Sequence, residues 1–230
     1  MVNDHDDMHK VTDGILREIS LSIDDSGGKV TFAGKEPVRK TVMKAGAAPA
    51  CILAANAEIM ARHEEGKLPF KIKHAIILNG STLVDMVNFL PMQKKMLAEP
   101  DLVLEEDIPD AKWLDLLTVG FSKEHQANQG LIEVMIAQIN EKHGSRLMPR
   151  LMRYQNERKD NLDRWIGGLT KLSAPTSIFW GQQDPNALEP MADRLKKLNP
   201  AADLHKWPDV SHWPPIEVPE RVAKAIIERL

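Results

Sequence analysis

The chain is poor in the features that usually announce a function. Its 230 residues contain one cysteine, Cys51, so no internal disulfide can form and a reducing, cytoplasmic setting is expected. No run approaches the roughly 20 apolar residues that span a bilayer. The acidic, polar N-terminus holds no secretory apolar segment, so no membrane association is expected. Glycine-rich phosphate loops are absent, as is any Cys/His pair at zinc spacing, so neither a cofactor nor a metal is expected. There is no internal repeat. The net charge of -3 offers no basic surface for nucleic acid. What remains is an ordinary soluble composition, 43% hydrophobic and 27% charged, long enough for one well-buried domain with an elaboration.

The most informative stretch runs from Leu172 to Trp213. Thr176–Trp180 is a short apolar run opened by Pro175 and closed by Gly181, which reads as a buried strand. Asp184 lies in the turn just beyond it. Leu188, Met191, Leu195 and Leu198 recur at helical spacing, and Asn199-Pro200 ends that helix. Asp203–Trp207 reads as a second strand, with His212 in the Pro-bounded loop that follows. An acid and a histidine thus hang from the ends of consecutive strands of a βαβ unit, the edge where open parallel sheets gather their chemistry. Taken singly, Asp184 could simply cap its turn and His212 could simply pack beside Trp213. Asp209, in the same loop, is an alternative acid.

Upstream, residues 15–23 and 30–32 alternate polar and apolar around Asp24-Asp25-Ser26-Gly27-Gly28, which predicts a β-hairpin. Thr41-Val42-Met43 is a short strand candidate. Ile52, Leu53, Ile59 and Met60 mark a helix ending near Arg62. Ile72–Leu78 reads as a central parallel strand closed by Asn79-Gly80-Ser81. Residues 82–170 are helical throughout in pattern: Leu83, Met86, Val87 and Leu90 begin it, Pro91 interrupts it, Leu114, Leu117, Leu131, Val134, Met135 and Ile139 continue it, and His143-Gly144 breaks it. Its methionines suit either a plastic apolar pocket or plain core filling. A last helix opens at Pro219, with Val222, Ile226 and Leu230 on its buried face.

The block from Trp180-Gly181 through Asp184 to Ser211-His212-Trp213-Pro214 resembles the C-terminal third of an α/β-hydrolase. Lys67-Leu68-Pro69-Phe70, Leu78-Asn79-Gly80-Ser81, the Arg153–Arg158 run and Arg164-Trp165-Ile166-Gly167-Gly168-Leu169 resemble the mesoderm-specific transcript proteins, near the haloalkane dehalogenases and epoxide hydrolases. The resemblance covers about residues 50–230. It implies a shortened, mostly parallel sheet flanked by helices, with residues 1–81 and 171–230 as core and 82–170 as a helical cap inserted between strands. It implies Asp184 as the triad acid, His212 as the triad histidine, and a small apolar ester, epoxide or haloalkane as substrate. Trp165 and Trp213, with Gly46 and Cys51, are pocket candidates.

Such enzymes carry their nucleophile on a tight strand-to-helix turn, Gly-x-Ser-x-Gly or His-Asp-x-Gly. Neither pattern occurs in this chain. The corresponding slot falls at Ala48–Ala50, and an alanine methyl cannot attack carbon. The His-Gly turn that usually helps bind the oxyanion is missing too, with Ala45-Gly46 the nearest substitute. Cys51, near a helix start, is a possible thiolate or a small buried hydrophobe. Ser81 and Glu36 are weaker substitutes. Two expectations follow: a hydrolase acting through an Asp-His pair, or a non-catalytic relative that at most binds a small apolar ligand. A sheet shortened at its centre also predicts rewired strand pairing or a homodimer.

Overall fold

A computed structural model of the chain describes residues 59–67, 71–80, 83–99 and 101–229. The predicted hairpin, Thr41–Met43, the Ala48–Ala50 slot, Glu36, Gly46, Cys51 and Ser81 lie outside the described residues, as does Leu230.

Three parallel strands form the described sheet in the order β1 (Ala75–Leu78), β2 (Thr176–Gly181), β3 (Asp203–Trp207). The register pairs Ile77 with Ile178 and Phe179 with His205. β2 is central and buried along its whole length, as its uninterrupted apolar character requires of a strand covered on both faces. β1 is shorter than the expected Ile72–Leu78. The cause lies in its neighbour: β2 starts only after Pro175, whose carbonyl accepts the Ala75 N–H at 2.8 Å, and proline has no N–H to extend the ladder.

One face of β2 packs on the helix Glu189–Leu198. Ile178, Trp180, Met191, Ala192 and Leu195 are fully buried there, joined by Leu83, Leu169 and Ile77. The Trp180 indole N–H donates to the Ala187 carbonyl at 2.9 Å, so the largest ring in this core carries no unpaired polar group. The opposite face is closed by the helix Pro219–Ile227, where Val222 packs with Val210 and Val218. There Phe179 stacks on His205 at 4.8 Å, and the Arg229 guanidinium lies 4.7 Å from the Phe179 ring.

Between β1 and β2 runs a long helical excursion containing Pro91–Ala98, Asp110–Thr118, Gln129–Asn140, Met148–Met152, Tyr154–Asp160 and Leu162–Thr170. It is not helical throughout. Val84–Met86 is a single 3-10 turn, and residues 101–109 and 119–128 are irregular. Pro91 opens a helix instead of interrupting one: its fixed φ suits the first helical position, while Leu90 before it is extended at ψ 158°, as a residue preceding proline favours. The buried stripe also differs from the expected one. Trp113, Leu117, Ile132 and Ile136 point inward, while Leu114 and Val134 are 46% and 54% exposed. These helices form their own core with Met96, Ile108, Phe121 and Met152, and Met92, Met135 and Met148 pack against it. The methionines here fill core. The His143-Gly144 break is real: Lys142 and His143 take φ of 51° and 62°, held by Asp107, which binds His143 Nδ1 at 2.7 Å and Arg146 Nε at 2.8 Å.

Candidate active site

The two strand-end loops are bonded to each other before any side chain is considered. Gln182 N–H donates to the Trp207 carbonyl and Gln183 N–H to the Val210 carbonyl, both at 3.0 Å. Gly181 makes this possible, because a Cβ there would collide with the carbonyl oxygens of Val210 and Ser211. The acid loop after β2 and the histidine loop after β3 therefore form one surface at the C-terminal end of the sheet.

Asp184 is 2% exposed. A buried carboxylate needs partners on its lone pairs, and this one has four. Oδ1 accepts the N–H groups of Asn186 and Ala187, each at 2.8 Å, closing the turn that leads toward the helix Glu189–Leu198. Oδ2 receives Nδ2 of Asn79 at 3.0 Å and lies 2.8 Å from Nδ1 of His212. One oxygen of Asp184 thus caps a turn while the other lies against His212.

With Asp184 ionised, Nδ1 of His212 must be the donor. The lone pair of the neutral ring is then on Nε2, and among the described residues no side chain hydrogen-bonds to Nε2. The imidazole is 28% exposed. Its edge meets Trp213 at a centroid distance of 4.8 Å and an interplanar angle of 79°. Trp213 in turn leaves no room for a Cβ at Gly120, and the His212 N–H donates to the Gly120 carbonyl at 2.9 Å. The helical excursion is therefore built directly against the histidine loop.

Asn79, which the sequence marks as a strand end and as part of a family-like motif, also belongs to this cluster. It sits at the tip of β1 with φ 39°, a left-handed conformation that asparagine tolerates. Its Oδ1 accepts the Gly181 N–H at 2.7 Å and its Nδ2 also donates to the Gly181 carbonyl at 3.1 Å. These bonds fix which end of the amide faces Asp184. Glu217, whose carboxylate lies behind the histidine loop, was missed.

The remaining candidates are distributed as follows. Asp209 does not face His212. It pairs with Arg221 through two bonds of 2.8 and 2.7 Å and with His125 at 3.0 Å. The Arg221 guanidinium, and after it His125, hold its carboxyl well below the usual carboxylate range. Trp213 stands beside His212, and Trp165 is buried in Leu162–Thr170 at 8% exposure. Ser122 is fully buried, and its hydroxyl accepts the His125 N–H at 3.1 Å, committing it to a turn. A cleft of about 320 Å³ opens beside Phe121, His125, Leu131 and Ile216, yet neither Asp184 nor His212 lines it. Among the described residues no group of three His, Cys, Asp or Glu side chains could hold a metal. None of their helices is long and apolar enough to cross a membrane.

Comparison with known proteins agrees with the fold. No protein-family model matches the chain. Over 173 residues it is 26% identical to the provisional hydrolase LipZ of Mycobacterium tuberculosis, covering 75% of this chain and 60% of that one. It is 31% identical to the mesoderm-specific transcript protein of Mus musculus over 87 residues, 37% of this chain and 26% of the other. The chain thus spans well under the full length of the curated relatives it matches. Among solved structures, an α/β hydrolase fold protein from Burkholderia ambifaria superposes with a TM-score of 0.57 at 12% identity, covering 76% of this chain and 62% of that one. An esterase from Thermogutta terrifontis gives 0.55 at 21% identity, covering 76% and 60%.

Proposed function

We propose, from the premise that this chain is an α/β-hydrolase-fold protein, that it hydrolyses a small apolar ester, epoxide or haloalkane. In this reading Asp184 orients His212, and Nε2 of His212 takes a proton from the attacking group. The observation that carries the reading is the 2.8 Å contact between His212 Nδ1 and Asp184 Oδ2, made by side chains from the ends of neighbouring parallel strands. A buried carboxylate with every lone pair engaged fixes the ring's tautomer and stabilises the imidazolium that forms when Nε2 is protonated. The attacking group is a water, or a side chain from outside the described residues. Residues 82–170 act as the cap: their Gly120 packs against Trp213, which lies beside His212, so an apolar substrate held under them would be shielded from water. The similarity to LipZ supports hydrolysis, and the Thermogutta esterase favours ester chemistry within this set. The test is turnover of a p-nitrophenyl ester panel by the purified chain and by His212→Ala; equal rates would reject the assignment.

One observation favours a second reading. Neither nucleophile-elbow pattern occurs anywhere in the chain, which suits a protein that keeps the scaffold and binds a small apolar ligand without turning it over. Calorimetric binding of an apolar ester that is recovered intact would support it. His212-dependent release of product would reject it.

A further inference from the structure

We propose that Glu217 is a positioning residue for His212. The claim rests on the reading of His212 as the base and extends it to the group that aims the ring.

Glu217 ends the short helix Pro214–Glu217, five residues beyond the histidine. Its Oε1 accepts the N–H of Trp213 at 3.0 Å and of Ser211 at 3.1 Å. Its Oε2 accepts the Ser211 N–H at 3.0 Å and the Ser122 N–H at 2.9 Å. The N–H groups of the residues on both sides of His212 are therefore tied to one carboxylate. The N–H between them, that of His212 itself, is tied to Gly120. Three successive N–H groups have fixed partners, so the 211–213 backbone cannot rotate without breaking charge-assisted bonds, the stronger kind. Ser211 adds a fourth restraint, its hydroxyl donating to the Gln183 carbonyl in the acid loop at 3.0 Å.

The chemistry of the carboxylate is unusual for a surface acid. Among the described residues its hydrogen-bond partners are all main-chain N–H groups, with no lysine, arginine or histidine paired to it. It spans two distant pieces of chain, because Ser122 belongs to the helical excursion while Ser211 and Trp213 belong to the sheet's last loop. A carboxylate that joins the excursion to the histidine's own backbone fixes the direction in which His212 leaves the chain. That direction sets the 2.8 Å reach to Asp184 and the placement of Nε2. Small displacements of a catalytic group are costly: about 1 Å can lower a rate about a hundredfold.

The test compares the wild-type chain with Glu217→Ala and Glu217→Gln. Its first readout is the ring of His212 in ¹⁵N NMR, assigned with His212→Gln and recorded where the ring is neutral. The expected result is one tautomer protonated at Nδ1 in the wild type, and in Glu217→Ala a mixture of tautomers with a rapidly exchanging Nδ1 proton. Glu217→Gln keeps one acceptor oxygen and is expected to lie between them. The second readout is ester turnover, where kcat of Glu217→Ala is expected to fall about a hundredfold with KM little changed. A lower melting temperature with unchanged ring signals and unchanged kcat would mark Glu217 as merely structural and overturn the proposal. If Glu217→Ala does not fold, wild-type ring signals in Glu217→Gln overturn it equally. If the wild type shows no His212-dependent turnover, the hydrolase reading falls, and the ring signals alone then decide whether Glu217 aims His212 at Asp184.

Discussion

Replacing Asp184 by asparagine exchanges one oxygen for an NH2 group in a site where every neighbour is a donor. Four donors converge on the carboxylate: two main-chain N–H groups at 2.8 Å on Oδ1, and Asn79 and His212 at 3.0 and 2.8 Å on Oδ2. Facing the new NH2 toward Asn186 and Ala187 would leave two buried main-chain donors opposed. Facing it toward Asn79 is no easier, since the Gly181 N–H at 2.7 Å holds that amide in place. Only His212 can adapt, by moving its proton to Nε2 and accepting at Nδ1. The lost pairing of buried donors costs about 1–3 kcal/mol, a drop of about 1 M in the urea midpoint for a slope of about 2 kcal/mol/M. The tautomer switch removes the base, and loss of turnover of about 10⁴-fold is expected, as when the equivalent change is made in a serine-protease triad. Urea melts and ester turnover of Asp184→Asn are the assays. Wild-type stability together with wild-type turnover would show that the convergent donors do not hold the histidine.

Further outcomes are expected elsewhere. Gly181→Ala should push the Val210–Ser211 carbonyls away from β2 and cost about 1–3 kcal/mol, with turnover falling more than stability predicts. Met191→Ala, in the fully buried face of the helix Glu189–Leu198, should cost about 2–5 kcal/mol by thermal melting and leave KM unchanged. Arg221→Ala should cost less than about 1 kcal/mol, because Arg221 is 41% exposed and exposed pairs are screened. Its pH dependence has a definite sign. The folded state depresses the Asp209 carboxyl, so the stabilisation is present above the ordinary aspartate value near 4 and is lost as pH falls through the lowered one. The gap between wild type and Arg221→Ala in urea midpoint should therefore narrow below about pH 4; a gap that widens would contradict it. If a second copy covers the edge of β1, as proposed for a sheet shortened at its centre, light scattering should give twice the monomer mass; a monomeric mass with a cooperative melt would exclude it.

Much of the site was legible because its two principal residues are placed by local signals. Pro175 and Gly181 bracket β2, Asn199-Pro200 ends the helix, and Asp203–Trp207 forms the strand over the residues expected. Loops that follow consecutive parallel strands must open on the same edge, so Asp184 and His212 could be paired from sequence alone. The contacts that fix them could not. Asn79 lies 105 residues from Asp184 and Ser122 lies 95 from Glu217, and nothing in the local pattern around either marks such a partner. Errors within the excursion have a similar origin. Leu114 and Leu117 fit a helical period, but Trp113 has more surface to bury and takes the inward position in place of Leu114, while Leu117 stays buried. Pro91 opens a helix where the pattern predicts a break, because a proline inside a periodic pattern can equally end one helix or begin the next, and only the chain before it decides.

Purified chain assayed against p-nitrophenyl esters, epoxides and haloalkanes, beside His212→Ala, tests the central claim most directly. The account predicts turnover of at least one of these substrates that falls by about two orders of magnitude or more when the imidazole is removed, the contribution expected of a positioned general base. Turnover that His212→Ala leaves unchanged, or its absence across the whole panel, would contradict it.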